Sequence, residues 1–217
     1  MSVVREEFGP TLPELVGRRL GVRTRTVWLA LAAIGALAVV VVAWLSLRPD
    51  PNQSTVVVRE PVTYNLIYPD ALRRVAPRSG ETLRLESRSG PPQSFAVHPL
   101  RLAPYKGDVT AALTGLSSGM IDRMRAQYQD FVWRGDGRVN INKQPGYQII
   151  FQARVGGRTT YGRRVLLVAK PDPPPREGVD LTILAARSPS VPNLDSVGAT
   201  GALKTAYRSF RFGTDRP

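Results

Sequence analysis

Residues Val27 to Leu47 read VWLALAAIGALAVVVVAWLSL, twenty-one positions without a charged side chain. Coiled as an α-helix, such a run reaches roughly 31 Å, close to the ~30 Å hydrocarbon layer of a bilayer. A helix buried in a water-soluble domain keeps a polar face, and this one has none. The expectation is a transmembrane helix over 27–47, beginning at Val27 and Trp28 and ending at Trp44 and Leu47. The competing reading is the apolar region of a cleaved secretory signal, with Val41-Val42-Ala43 as small residues for a peptidase. Such regions run ~7–15 residues and lie close to the N-terminus, whereas twenty-six residues precede this one, so an anchor fits better.

Arg18, Arg19, Arg23 and Arg25 precede the run, while only Arg48 follows closely, beside Asp50. Positive charge is retained on the cytoplasmic side, which places 1–26 inside and the remainder outside. Residues 1–26 carry Gly9-Pro10, Leu12-Pro13 and several charges, and read as a mostly flexible cytoplasmic tail. Residues 48–61 read as a linker and first extended segment, 62–213 as one extracytoplasmic domain, and 214–217 as a short tail. Asn52 to Pro217 is about 166 residues, enough for one core and too few for two ordinary ones. The chain has no cysteine, so neither a disulfide nor a thiol-linked lipid contributes.

From Asn52 onward, 24 Lys and Arg face 13 Asp and Glu, a surplus of eleven spread through the domain. Outside a membrane, the acidic neighbours are lipid headgroups and anionic envelope polymers, with nucleic acid a poor third. Arg73, Arg74 and Arg78, with Arg163 and Arg164, are the densest basic points and the candidate contacts with an anionic surface. A solvated basic face without a partner is the competing reading.

Along the domain, Thr55–Arg59 and Thr63–Tyr68 have β-rich composition, Thr82–Glu86 alternates apolar and charged residues, and Phe95 with Val97 repeat the pattern. The period then changes. Val109, Ala112, Leu113, Leu116, Met120, Met124 and Tyr128 recur at helical spacing, with Asp108 placed as a cap. Gly115 and Gly119 each weaken that helix by about 1 kcal/mol relative to alanine, so a break near Ser117 is expected. Strands Phe131–Arg134 and Arg138–Asn142 flank Gly135-Asp136-Gly137, read as a hairpin turn. Tyr147 to Val155 alternates, Gly156-Gly157 turns the chain, and Arg158 to Ala169 brings it back. Within that return, Val165-Leu166-Leu167-Val168 is apolar on both faces, which requires a central strand covered on each side. Pro171–Pro175 reads as a rigid exposed loop. Val179, Leu181 and Ile183 mark a further strand, and a last helix near Asp195 places Leu203, Tyr207 and Phe210 on one face.

The pattern is α+β: a mainly antiparallel sheet sandwiched by helices. It resembles the Mog1/PsbP-like superfamily, particularly its membrane-anchored actinobacterial members. The resemblance is carried, in order, by Tyr64-Asn65-Leu66-Ile67-Tyr68-Pro69, the helix from Asp108 to Tyr128, the Tyr147–Ala169 hairpin and the closing Ser209-Phe210-Arg211-Phe212, and spans Val62 to Gly213. It implies a binding module with no common catalytic residues. The metal-associated role of the photosynthetic members does not transfer, because no matching His or carboxylate cluster is present.

Gly115-Leu116-Ser117-Ser118-Gly119 matches a hydrolase nucleophile elbow, which needs a sharp strand-to-helix turn and a histidine later in the chain. The match lies in a helical repeat, and the only histidine, His98, precedes it. His98 has no second imidazole or thiol to complete a metal site. Arg134-Gly135-Asp136 spells an adhesive tripeptide that chance and the turn explain. The reading is therefore a non-enzymatic binding or scaffold domain, with no cofactor or metal, held at the lipid bilayer and presented to an envelope protein or an anionic polymer. A structural subunit assembled through the transmembrane helix, and a serine hydrolase using Ser117, are the alternatives.

Overall fold

The computed structural model describes residues 24–47, 53–103, 107–169 and 177–215. The chain divides into two units, Met1–Pro51 and Asn52–Pro217. In the first, the described element is helix α1, Thr24–Leu47. Its described side chains run from Trp28 to Val42, and all are exposed. The side chains of Val27, Trp44 and Leu47 lie outside the described residues, as do most of the 1–26 tail and the start of the linker. Among the described residues no helix is long and apolar enough to cross a membrane, so the crossing expected of 27–47 rests on the sequence.

The second unit contains two antiparallel sheets. Strands β1 (Gln53–Val58), β2 (Tyr64–Pro69) and β10 (Arg211–Phe212) form a small sheet in the order β1-β2-β10. The large sheet has seven strands: β3 (Leu72–Val75), β4 (Leu83–Ser87), β5 (Gln93–Arg101), β6 (Gln129–Ile141), β7 (Gln144–Val155), β8 (Arg158–Val168) and β9 (Glu177–Ala186). They lie in the order β3-β4-β5-β9-β8-β7-β6. Helix α2 (Val109–Gln127) precedes β6, and α3 (Gly201–Ser209) follows a short 3₁₀ turn at Leu194–Ser196.

β8 is the strand the apolar run anticipated. Val165 and Leu167 enter a core shared with Leu203, Ala206, Tyr207 and Phe210 around α3, and with Val56, Tyr64 and Leu66 of the small sheet. Leu166 and Val168 enter a second core with Leu113, Met120 and Met124 of α2 and with Ile149 and Phe151 of β7. Successive side chains on a strand point to opposite faces, so four consecutive apolar residues supply both cores.

Four expectations are corrected. Helix α2 runs unbroken through Ser117; Gly115 and Gly119 lie on its exposed side, and burial of Leu113, Met120 and Met124 outweighs the ~2 kcal/mol propensity cost. Asp108 occupies the cap position, but its side chain makes no capping hydrogen bond. Gly135-Asp136-Gly137 is no turn: it lies within β6, next to a register shift between Trp133 and Gly135. The hairpin turns instead at Asn142-Lys143, whose φ angles of 48° and 67° are both left-handed, as a two-residue primed turn requires. The Asn142 amide donates to the carbonyls of Arg208 and Phe210 at 2.6 and 2.8 Å, a tertiary anchor that local pattern does not reveal. The last helix also starts later than Asp195, at Gly201, after the 3₁₀ turn. β3 and β10 are additional short strands. The Pro171–Pro175 loop lies outside the described residues.

Close approach between strands depends on Gly162, which faces Phe151 across β8 and β7. A Cβ there would fall 2.2 Å from Phe151 Cζ, and that ring is wedged between Tyr128 and Phe131. Gly162→Ala is expected to destabilise by about 1–3 kcal/mol. Gly137→Ala, with open space at its Cβ, should leave the denaturation midpoint nearly unchanged.

Tyr64, 1% exposed, bonds the Thr82 hydroxyl at 2.6 Å. Burial pushes its phenol from 10.0 up to about 12, although the Thr82 hydrogen bond pulls the other way. Well below pH 10 the phenol is protonated in both states and contributes nothing to pH dependence. Between about 10 and 12 the unfolded chain ionises while the fold does not, so stability falls with rising pH, by up to about 3 kcal/mol in all. Tyr64→Phe should flatten that alkaline decline relative to the parent chain in urea unfolding from about pH 9 to 12.

Candidate binding groove

Helix α2 covers the large sheet over β6 and β7 and leaves the same face open over β4, β5 and β9. The pairing register fixes what lies on that open floor. One row reads Arg84, Ala96, Thr182 and Arg164 across β4, β5, β9 and β8; the next reads Glu86, Ser94, Leu184 and Gly162; a third reads His98, Asp180 and Leu166. Small side chains in the middle and long charged ones on the banks leave a groove of about 660 Å³. Tyr128, at the C-terminal end of α2, lines it on the β8 side.

Both bank arginines of the first row are held by carboxylates. Arg84 Nε donates to Glu86 Oε1 at 2.7 Å and its Nη1 to Glu81 Oε1 at 2.8 Å. Arg164 grips both oxygens of Asp180, with Nε at 2.9 and 2.8 Å and Nη2 also donating to Oδ2. Side-chain exposure is 10% for Arg84, 5% for Glu81 and 5% for Asp180, so these charges are largely withdrawn from water. Burial works against the Arg164 charge, but the Asp180 hydrogen bonds and charge outweigh it and raise the guanidinium above its ordinary value. Burial also raises the Tyr128 phenol, with the Arg164 charge opposing it. His98, half-buried at one end, has Nδ1 3.1 Å from the Gly80 carbonyl oxygen. Among the described residues, no group of His, Asp and Glu is placed to hold a metal ion.

The basic pairs proposed from sequence are each divided between two faces. Arg73 and Arg74 are exposed neighbours on β3, pairing in register with Glu86 and Leu85. Arg163 lies on the opposite face from Arg164, its guanidinium 5.6 Å from the Tyr207 ring centroid and its buried Nε without a hydrogen bond among the described residues. Only Arg78 and Arg164 of the five line the groove. The strand period of two separates what sequence places together. Arg84, Arg88, Arg158, Glu81, Glu86, Asp180 and Tyr128 join the site from segments far apart in sequence. The alternation of Thr82–Glu86 already placed Arg84 and Glu86 on one face, but their companions depend on strand order.

Ser117 sits inside α2, buried, its Oγ donating to the Thr114 carbonyl at 2.7 Å. The strand-to-helix turn of a nucleophile elbow is not formed there. Asp136 of the Arg-Gly-Asp tripeptide accepts from the Tyr147 hydroxyl at 2.5 Å.

Arg164→Ala is expected to cost about 3–5 kcal/mol, because it leaves the Asp180 carboxylate, 5% exposed beneath the arginine, without its partner. Arg78→Ala, removing an exposed side chain 4.0 Å from Glu86, should stay within ~0.5 kcal/mol. Urea denaturation of both variants checks the contrast.

No protein-family model matches the chain, and no curated protein matches it in sequence. Two solved structures are similar in fold. LpqN of Mycobacterium tuberculosis, described as involved in cell envelope biogenesis, aligns with a TM-score of 0.51 at 12% identity, over 76% of this chain and 94% of that one. The cyanobacterial PsbP protein, CyanoP, of Synechocystis sp. PCC 6803 aligns with a TM-score of 0.50 at 12% identity, over 76% and 95%. Together with the layers and strand order above, they establish that this chain has the α+β, mainly antiparallel PsbP-like fold.

Proposed function

We propose that the chain is a single-pass membrane protein of the cell envelope whose PsbP-like domain is a non-catalytic binding or scaffold module facing outward. The groove carries this reading. It is a concave surface on an otherwise well-packed sheet, with its charged banks fixed in place and its floor of small residues unoccupied by any element of the described chain. Rigid pre-arranged polar groups around an open floor favour recognition, since little entropy is lost when a partner docks.

Anchoring is supported by the twenty-one uncharged residues from Val27 to Leu47 and by the exposed apolar side chains along the described part of α1, including Trp28, Leu29, Ile34, Leu37 and Val40. Apolar surface exposed on that scale belongs against lipid or protein. Positive charge before the run supports a cytoplasmic N-terminus. The envelope assignment draws on the similarity to LpqN. Tethering would keep the groove at high local concentration for partners in the same envelope layer.

A photo-crosslinking residue at Thr182, on the groove floor, is expected to capture an envelope component in intact cells, whereas one at Asp122, on the exposed side of α2, is not. Replacing Val27–Leu47 with an unrelated span should preserve capture. Equal capture from both positions would overturn the groove as the contact surface, and loss of capture after the span exchange would instead favour assembly through the helix.

A further inference from the structure

We infer that the groove binds a linear polyanion, a chain with oxyanion groups along its length, laid parallel to the strands between two arginine-bearing banks. This rests on the binding-module reading above and names the ligand class for the same surface. Five arginines line the groove, Arg78, Arg84, Arg88, Arg158 and Arg164, against two glutamates, Glu81 and Glu86. With Asp180 beneath Arg164 the balance is still positive.

The distribution of charge separates a chain from a single anion. Glu81, Glu86 and Asp180 already neutralise Arg84 and Arg164, so no pair of unopposed inner guanidiniums converges on one phosphate-sized point. Those inner residues still present donors: among the described residues Nη2 of Arg84 and Nη1 of Arg164 make no hydrogen bond. The unneutralised charge sits on the rims instead. Arg88 and Arg158 are exposed where β4 ends and β8 begins, which antiparallel order places at the same end of the groove on opposite banks. Arg78, exposed, stands on the β4 bank towards the His98 end, where its 4.0 Å ion pair with Glu86 balances the second carboxylate around Arg84.

Backbone spacing gives the scale. Arg84 and Arg164 are three strand spacings apart, about 14 Å, and the floor from Gln93 to His98 runs about 17 Å along β5. An orthophosphate ion can meet one rim cation there, whereas an extended chain can meet several in turn. A planar lipid surface would reach the rims alone, because α2 rises beside the floor. Arginine suits this role, since its planar fork pairs with phosphate or carboxylate by two hydrogen bonds at once.

The test uses the full-length chain in non-ionic detergent at physiological salt. Probes are inorganic polyphosphate of about fourteen units, orthophosphate, poly-L-glutamate and phosphatidylglycerol vesicles. Polyphosphate is expected to bind at least about tenfold more tightly than orthophosphate at equal total phosphate. Poly-L-glutamate in place of polyphosphate would identify a carboxylate chain and supports the same inference. Arg88→Ala with Arg158→Ala should weaken chain binding by about tenfold; because Arg88 Nε also donates to the Leu72 carbonyl at 3.3 Å, the comparison is made on protein whose far-UV circular dichroism matches the parent. Arg123→Ala with Arg125→Ala, the same charge change on α2, should leave it unchanged. Equal affinity for orthophosphate and chain, equal loss in both double variants, or binding to vesicles in preference to chains would each overturn the inference. Capture from Thr182 in cells without polyanion binding in solution would overturn the ligand class and leave the binding module standing; loss of both would remove the module as well.

Discussion

Everything in the folded domain is organised around a strand, β8, whose C-terminal half has no solvent side. β8 sends Val165 and Leu167 into one core and Leu166 and Val168 into the other, so the sheet must be covered on both faces before this strand can leave water. Complete burial of an aliphatic side chain contributes about 1.5–3 kcal/mol, and four in succession make β8 the largest concentration of that gain in the sheet. α2 covers one face, and α3 with the small sheet covers the other. Gly162 and Gly178 serve the same strand by letting Phe151 and the Leu167 carbonyl approach where a Cβ would collide.

The groove follows from the unequal extent of those covers. α3 and the small sheet span the first face broadly, with core residues contributed from β4, β5, β8 and β9. A single helix on the second face shelters β6, β7 and part of β8, and the remainder carries Arg84, Glu86, Ser94, His98, Thr182 and Arg164 in place of a core. The same sheet thus changes chemistry from one end of a face to the other. Its buried ions are paired within the floor, which removes most of their net charge while holding their directions fixed. Attraction for a charged partner is left to exposed arginines on the rims, and shape and hydrogen bonding to the floor.

Much of this was legible in the residues. Alternation identified β4, β5, the β7–β8 hairpin and β9, and helical spacing identified α2, because both periods follow from backbone geometry and survive in any context. Local chemistry was less reliable where tertiary contacts compete with it. Gly135-Asp136-Gly137 has the composition of a turn yet lies in β6, since Asn142 is held by the carbonyls at the end of α3 and sets the hairpin there. Two glycines in α2 weaken the helix but do not break it, because burial of its other side outweighs their cost. Arg73-Arg74 and Arg163-Arg164 look like clusters along the chain and are divided by the pleat of their strands.

By itself, the sequence determined the uncharged run of Val27–Leu47, the two-sided apolar character of Val165–Val168 in β8 and the shared face of Arg84 and Glu86, because charge, hydrophobicity and period are properties of neighbouring residues. Only the tertiary structure decided that Arg164 of β8 meets Asp180 of β9, and that this pair and the local Glu81–Arg84–Glu86 group flank one groove three strand spacings wide. Those partners come from β4, β8 and β9, whose order in the sheet is set by how two cores close around β8, and no local pattern encodes that order.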